Sequence, residues 1–512
     1  MTPRSQESRQ PLFVSSHPLR RHRSARLPRA ARLGALLALG ASLSAGLGGC
    51  ILTTDLPAPA LDVPAAYKEG PKQGRDAAPP TLDWWRSFRS AELTVLMEEA
   101  QTVNLDIAAA TARILQADAL ARQAGAALLP SVTGNGSASR SKSSSNSSSG
   151  VSSGSTTTFS RGETTTYTTS LSASYEIDFW GKNRDALLAA EETANANRFD
   201  RDTVVLTTLA SVANAYFQVL AAQDRLATAQ RNIASAQRIY DAIKARVDAG
   251  TGSDLDLAQQ ESVLANQRAA VPPLRQTLAQ NQNILAALVA RPPERVRITG
   301  GSLNRISPPR VTPGLPSELL IQRPDIRRQE AQLAAATANV GSARAQFFPS
   351  IQLTGQGGYQ SAALATLINP QSAFFSMAAG LTQPIFDGGR IQANFDLTRA
   401  QQDELLQTYR KTVIQAFSDV DTALINIKQT AEKLRLQRIV VAASRRAFDL
   451  SEKQLRAGTA DIVTVLNTQL TLFQAEDSLW QAQLAWLQSY VSLYQALGGG
   501  WMPKTEGLVN AL

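Results

Sequence analysis

The chain has 512 residues, of which 43% are hydrophobic and 18% are charged, and its formal net charge is +9. The first 49 residues contain eight arginines and one glutamate, a net charge of +7, so the remainder carries only about +2 and offers no basic surface typical of nucleic-acid binding. Both histidines and the single cysteine also lie in the first 50 residues, which excludes a histidine-based catalytic triad, a His/Cys zinc site and a disulfide from the rest of the chain.

The first 49 residues have the organisation of a secretory signal peptide. Six arginines within 20–32 precede a short apolar stretch at 33–47, and Leu-Gly-Gly-Cys follows at 47–50. This tetrapeptide resembles the bacterial lipobox, in which the cysteine is acylated and becomes the first mature residue. The resemblance implies N-acyl and diacylglycerol groups on Cys50 and no other cofactor, and Ile51, in place of an aspartate, implies anchoring in outer-membrane lipid.

The remainder divides into a tether, two similar halves and a tail. Residues 50–81 are rich in Pro, Ala and Asp, which predicts an extended tether between the lipid and the fold. Residues 82–312 and 313–500 then repeat one order of elements: an Ala-rich helical run, two β-like segments separated by a loop, and a long helical hairpin. Residues 501–512 form the tail.

Each half contains two segments that alternate apolar and polar residues. The predicted strands span about 131–140, 167–179, 350–360 and 375–386. In the second of them, Leu171, Tyr175 and Ile177 share one face, while serines, threonines and acidic residues occupy the other. Segments of about ten residues with one apolar face are typical of transmembrane β-strands, although a half-buried sheet in a soluble domain gives the same pattern. The Ser/Thr/Gly-rich residues 141–162 predict an exposed loop.

Long helical hairpins are predicted at 182–290 and 388–497. Apolar residues recur every seven positions, as at Val413, Val420 and Ile427, which is typical of coiled-coil packing. A single helix from about Lys182 to Val247 would extend for roughly 100 Å, too far to be buried in a globular core. Such helices must pack against similar helices.

Two Gly-Thr breaks interrupt the helical hairpins, at 249–251 and 457–459. Glycine at the end of a helix favours a tight turn, so each break predicts the reversal of a long helix into an antiparallel partner. Pro272-Pro273 predicts a kink in the first return helix.

Four strands per chain are too few to close a membrane barrel, because small closed barrels need about eight. An open sheet would leave unpaired backbone groups in lipid, which is costly. Several chains must therefore pool their strands, and three chains would supply about twelve, enough for a pore.

Several motifs resemble one family. They are LIQRPDIRRQE at 320–330, GSARAQFFPS at 341–350, DWWRSF at 83–88, YEIDFWG at 175–181 and AGT at 457–459. Together they closely resemble the signature of the outer-membrane efflux lipoproteins, the OprM/TolC-like (NodT-type) channel-tunnels. The resemblance covers essentially all of residues 50–500.

The resemblance implies an α+β membrane protein that works as a homotrimer. Each protomer would give four β-strands to a shared twelve-stranded barrel, and long antiparallel coiled-coil helices would form a periplasmic tunnel with an equatorial region around Trp84 and Trp85. The trimer would be the outer-membrane exit duct of a tripartite multidrug efflux pump of the RND type, conducting small molecules passively. Its partners would be a periplasmic membrane-fusion adaptor and an inner-membrane RND pump, with no nucleic acid.

By the same resemblance, the two Gly-Thr turns form the periplasmic tip that meets the adaptor. The tip residues are Arg246, Val247, Ala249, Gly250, Thr251, Leu455, Arg456, Ala457, Gly458 and Thr459. Glycine is needed to reverse each helix whether or not an adaptor binds there, so helix reversal alone remains the alternative role.

A gate is expected near the same tip. The candidates are Asp254, Asp256, Asp461, Thr464 and Asn467. Three copies of a carboxylate around a constriction would attract cations and resist full closure. Relatives carry aspartates one and two turns beyond the second Gly-Thr turn, where this sequence has Thr464 and Asn467. The gate would then depend on hydrogen bonds, on apolar contacts of Val463 and Leu466, or on Asp256, and ordinary solvated turns remain the alternative for the acidic residues.

Two other functions fit parts of the pattern. The same fold serves type I protein secretion, and a lipid-tethered periplasmic coiled-coil scaffold would explain the helices without a barrel. An enzyme is not expected, because no phosphate-binding loop with the required Lys-Ser/Thr pair is present and no metal site is indicated.

Overall fold

The structure is a computed structural model, and it describes residues 55–68, 80–142, 163–308 and 314–501. All of these residues belong to one unit of the chain, Leu52–Leu512. The predicted signal peptide, the lipidation site Cys50, nearly all of the predicted loop 141–162 and the tail beyond Trp501 lie outside the described residues.

Both halves contain two strands followed by a long helical hairpin. In the first half the elements are α1 (Ala91–Val103), α2 (Leu105–Gly125), β1 (Ser131–Lys142), β2 (Glu163–Ile177), α3 (Lys182–Asp248), α4 (Asp254–Ala269) and α5 (Val271–Leu288). In the second half they are α6 (Pro316–Gln322), α7 (Pro324–Ala345), β3 (Ser350–Ser361), β4 (Ala373–Thr382), α8 (Arg390–Arg456) and α9 (Ile462–Ala496). α7 starts at the Arg-Pro-Asp motif, where proline lacks the N–H that a first helical turn leaves unused.

The four strands form one antiparallel sheet in the order β1-β2-β3-β4. Its register aligns Leu171 with Gly134 and Gly357, and Gly357 with Phe375. The face that carries Leu171, Phe375 and Met377 is apolar and exposed, and the exposed fraction of Met377 is 85%. β1 and β4 each have one edge without a partner among the described residues, so the sheet is open at both sides.

Two strands differ in extent from the sequence prediction. β2 begins at Glu163 rather than 167, because Glu163 pairs with Lys142 and accepts hydrogen bonds from Arg140. It ends at Ile177 rather than 179, because Asp178 turns to accept the N–H groups of Asn183 and Arg184 at the start of α3.

β4 spans Ala373–Thr382, whereas the prediction was 375–386. Pro384 cannot donate a ladder hydrogen bond, which ends the strand. Asp387 then accepts hydrogen bonds from the N–H groups of Gly389 and Ile391 and caps α8, as Asp178 caps α3 in the first half.

The helices α3 and α8 are 67 residues each, roughly 100 Å long. α2 packs on α3, α3 on α7 and α7 on α8, so these helices form a layer that repeats the order of the strands. α9 packs against both α8 and α3 and ties the two hairpins together. The first return helix is interrupted at Ala270, which places Pro272 and Pro273 in the first turn of α5.

An aromatic core joins the beginning of the fold to the middle of α3 and the end of α9. Trp84 and Trp85 are buried there, and Trp84 stacks on Tyr494 at a centroid distance of 4.8 Å. Among the described helices, α3 alone is long and apolar enough to cross a membrane by length and composition, but most of its apolar stretch is buried in this core. Burial in this core therefore explains the apolar composition of α3.

The described part of the tether, residues 55–68, has no regular secondary structure but is fastened to the fold. Tyr67 is buried in a second apolar cluster with Val413 and Val420 of α8. Arg410 donates a hydrogen bond from Nε to the carbonyl oxygen of Pro59 at 2.7 Å. The extended tether thus runs along the surface of α8.

Candidate functional site

The two Gly-Thr turns have the same hydrogen-bond pattern. In the first, Gly250 N donates to Val247 O at 2.8 Å and Thr251 N donates to Arg246 O at 2.9 Å. In the second, Gly458 N donates to Leu455 O and Thr459 N to Gln454 O. This is the Schellman pattern, which requires a left-handed backbone at the glycine, and Gly250 and Gly458 have φ angles of 70° and 74°.

A capping residue begins the return helix after each turn. Ser253 accepts a hydrogen bond from Leu255 N at 3.2 Å. Asp461 accepts hydrogen bonds from the backbone N and the Oγ1 of Thr464, both at 2.9 Å. The backbone hydrogen bond, together with the hydroxyl, lowers the pKa of Asp461 below its ordinary value. Asp254 and Asp256 lie in the first turn of α4, where the helix dipole favours negative charge.

The predicted tip residues separate into exposed and packed groups. The exposed residues are Arg246, Ala249, Gly250, Thr251, Arg456, Ala457, Gly458 and Thr459. Val247 and Leu455 are instead half-buried against an apolar cluster that contains Ile243, Phe448 and Val465. Because this cluster draws on α3, α8 and α9, it holds the two hairpins together at the end of the molecule where the turns lie.

The gate candidates occupy different environments. Asp254, Asp461, Thr464 and Asn467 are exposed, and Asp256 is half-buried. The hydroxyl of Thr464 is engaged in capping α9, whereas the side chain of Asn467 makes no hydrogen bond within the described part of the chain. Leu466 is 8% exposed and belongs to the apolar cluster of the tip. Val463 is 45% exposed, so of these two residues only Val463 could make the expected apolar gate contact.

Two ion pairs hold α9 between its neighbours, and sequence reasoning missed both. Asp477 accepts two hydrogen bonds from Arg225 of α3, at 2.6 and 3.1 Å. The preceding residue, Glu476, pairs with Arg445 of α8. The available signal was a charged residue at a heptad position of α9 where the pattern calls for an apolar one.

Buried glutamines lie near the same tip. Gln260 and Gln469 are fully buried, and Gln260 donates to the carbonyl oxygen of Ala236 at 2.8 Å. Both amide atoms of Gln469 lack a hydrogen-bond partner among the described residues. Unpaired buried amides are destabilising, so the packing of α9 is weakened at this position.

The face of the sheet opposite the apolar one is polar and nearly uncharged. Gln352 Nε2 donates to Ser174 Oγ at 3.0 Å, and Gln356 Nε2 donates to Ser170 Oγ at 3.1 Å. In the four described strands, the charged residue of this face is Glu176, which pairs with Lys182 at 2.6 Å. Hydroxyl and amide side chains suit a water-filled lumen. Among the described residues, no group of His, Cys, Asp and Glu is arranged to hold a metal ion.

An exposed apolar band on one face, a hydroxyl-lined face behind it and helices of about 100 Å define an outer-membrane channel protein. The family model for outer membrane efflux proteins matches residues 96–291 and 315–499. The chain therefore belongs to the outer membrane efflux protein family.

Individual relatives agree over nearly the whole chain. The pyoverdine export outer membrane protein OpmQ of Pseudomonas putida is 39% identical over 459 residues, covering 90% of this chain and 96% of the relative. The antibiotic efflux pump outer membrane protein ArpC of Pseudomonas putida is 32% identical, covering 90% and 94%. The open state of the MtrE outer membrane channel of Neisseria gonorrhoeae is 28% identical, with a TM-score of 0.78, and covers 89% of this chain and all of MtrE.

These likenesses confirm the predicted family, the channel-tunnel fold class, the role as an outer-membrane efflux duct and the outer-membrane location. The tip, gate and lipidation residues, and the domain boundaries, stay predictions.

Proposed function

We propose that three copies of this chain form the exit duct of a tripartite efflux pump, which conducts small molecules passively across the outer membrane. The observation that carries the proposal is the open, four-stranded sheet with one apolar and one polar face, continuous with a layer of long helices in the same order. Copies placed around an axis would pair β4 with β1 and continue both layers, which removes every edge from lipid.

The dimensions of the apolar band support a membrane barrel. From Tyr167 to Ile177 the outward face of β2 spans eleven residues, roughly 33 Å along the strand. At the usual tilt of about 45° this corresponds to a band of about 23 Å, close to the height of known barrels. The serines, threonines and glutamines of the other face would then line an almost uncharged pore, so the barrel would not select cargo by charge.

Acylation of Cys50 would complete the anchoring. The hydrogen bond from Arg410 to Pro59 holds the described tether on α8, nine positions after the cysteine. The acyl chains would enter the lipid surface next to the barrel.

The periplasmic tip would meet an adaptor through the exposed turn residues. Arg246, Thr251, Arg456 and Thr459 stand beside glycines that expose the backbone. Val247 and Leu455 would support these turns from behind rather than bind the adaptor. The expected energy source is an inner-membrane RND pump.

Gating would be governed by α9 and its two arginine ion pairs. Asp461 is committed to capping, so the free polar groups for a constriction are Asn467 of α9 and Asp254 and Asp256 of α4. The relatives named above export pyoverdine or antibiotics, which favours small-molecule efflux over type I protein secretion and over a scaffold without a pore.

Planar bilayers test this function. The purified full-length protein is expected to insert as discrete conductance steps, because three pooled sheets enclose an aqueous lumen. The matched control replaces Gly380 of β4 with proline, which removes a ladder N–H at the strand that closes the assembly. Association of the wild type with the bilayer without any conductance would support the lipid-tethered scaffold and contradict the duct.

A further inference from the structure

A polar groove lies over α7, away from the tip and the barrel. Its volume is about 580 Å³, within the usual range for pockets that hold drug-sized molecules. α7 forms the floor with the small residues Ala335 and Ala336, and α3 and α8 form the walls. α7 also contributes the longer side chains of Arg328 and Gln332, and the walls carry Asn197 and Glu404.

The groove contains charges of both signs and unused hydrogen-bonding groups. Arg328 pairs with Asp200 at 2.7 Å. The carboxylate of Glu404 has no ion-pair partner among the described residues, and Gln332 makes no side-chain hydrogen bond there. With one arginine and two carboxylates, the groove has a net charge of −1. It has no aromatic lining residue, so it is suited to hydrophilic cations rather than to flat apolar molecules.

The contacts of the two chain ends show on which side of the helical layer the groove opens. Pro59 of the tether is bound by Arg410, which is nine residues after the groove residue Gln401 and therefore about 180° around α8. Trp501 donates to Asp202 at 2.9 Å, and Asp202 lies about 200° around α3 from Asp200. Both ends of the described chain thus lie on the face opposite the groove.

If the tether leads to a lipid anchor, as in the proposed function, it must run outside the tunnel. The groove then opens into the lumen, where neighbouring protomers do not cover it. Three copies would lie at one height around the path of the cargo.

We infer that this groove is a transit site of the tunnel that binds hydrophilic, amine-bearing molecules of drug size. Glu404 provides the negative charge for an amine, because the charge of Asp200 is balanced by Arg328, and Gln332 and Asn197 provide hydrogen bonds for hydroxyl groups. A conducting path needs binding that is strong enough for entry and weak enough for release, so the affinity is low and the occupancy brief.

Block of the channel current by kanamycin, a hydrophilic polyamine with many hydroxyl groups, tests the site. In planar bilayers, wild-type channels are expected to show brief, concentration-dependent interruptions. Glu404→Gln is expected to raise the half-blocking concentration about threefold, the usual size of one partly screened charge interaction. Asp403→Asn is the matched control, because Asp403 is exposed on the opposite face of α8 and has no partner among the described residues.

A thiol experiment tests the sidedness separately. The chain has a single cysteine, Cys50, so a new cysteine can be modified selectively once the native one is acylated. A charged, membrane-impermeant thiol reagent is expected to reduce the conductance of Gln401→Cys channels and to leave Asp403→Cys channels unchanged.

The outcomes separate this inference from the duct itself. Absence of any pore would contradict the proposed function. Pores that kanamycin does not block, that are blocked equally in all variants, or that lose conductance through Asp403→Cys rather than Gln401→Cys would overturn the transit site and leave the duct intact.

Discussion

At the scale of single residues, the two helix reversals depend on backbone geometry rather than on side-chain contacts. Gly250 and Gly458 both have positive φ angles, and a Cβ added at either position would meet no atom within 4 Å. The need for glycine is therefore conformational. This explains why glycine could be placed in the turns from the sequence, whereas a role in binding could not.

Gly458→Ala is expected to destabilise the second turn by about 1 kcal/mol, because an L side chain is strained in the left-handed region. Asparagine tolerates that region better, so Gly458→Asn should lose less. Thermal unfolding of the detergent-solubilised protein, compared among the three proteins, measures this order. Equal losses for alanine and asparagine would contradict the conformational explanation.

Asp461 gives the tip a pH dependence of defined sign. Its pKa is lowered in the folded state by hydrogen bonds from Thr464, so its contribution to stability is present above the ordinary carboxyl pKa and is lost as the pH falls through the lowered value. The protection of the Thr464 amide against hydrogen exchange, measured relative to an unstructured peptide at the same pH, should therefore fall at acidic pH in the wild type. Asp461→Asn should remove that pH dependence, and an unchanged profile would count against the cap.

At the scale of elements, α9 is held from both sides by consecutive carboxylates. Glu476 pairs with Arg445 of α8, and Asp477 pairs with Arg225 of α3. The unpaired amide of Gln469 lies two turns earlier and weakens the packing of α9. The position of α9 thus depends on a small number of polar contacts superimposed on its apolar heptads.

A double-mutant cycle on Arg225→Ala and Asp477→Ala is expected to give a coupling energy of about 1 kcal/mol, since the pair is bidentate but partly exposed. The control pair, Arg435 and Glu432, lies within α8 and is more exposed, so its coupling should be smaller. Urea unfolding measures both cycles. A coupling no larger than that of the control would mean that the bridge does not hold α9.

The period-seven and period-two patterns predicted the helices and strands, because an element that buries one face repeats its apolar residues at a fixed spacing along the sequence. The early start of β2 was missed, since it depends on Glu163 meeting Arg140 across a loop. The Arg225–Asp477 pair joins residues 252 positions apart, and the groove over α7 is built by three helices. Such contacts are set by packing between distant segments, which no local pattern reports.

At the scale of the whole molecule, one protomer is an incomplete object. Its sheet ends at β1 and β4 in edges that have no partner among the described residues, and the helical layer ends at α2 and α8 in the same order. Exposed apolar side chains such as Phe375 and Met377 on the sheet, and Leu120 of α2, would be costly in water. Lipid and neighbouring copies are the partners that satisfy these surfaces.

The copy number of the assembly tests this account most directly. Native mass spectrometry of the detergent-extracted protein is predicted to give the mass of three chains, because three pooled sheets of four strands enclose a lumen wide enough for a pore. A stable monomer under conditions that preserve known outer-membrane barrels would contradict the pooled barrel, and with it the duct.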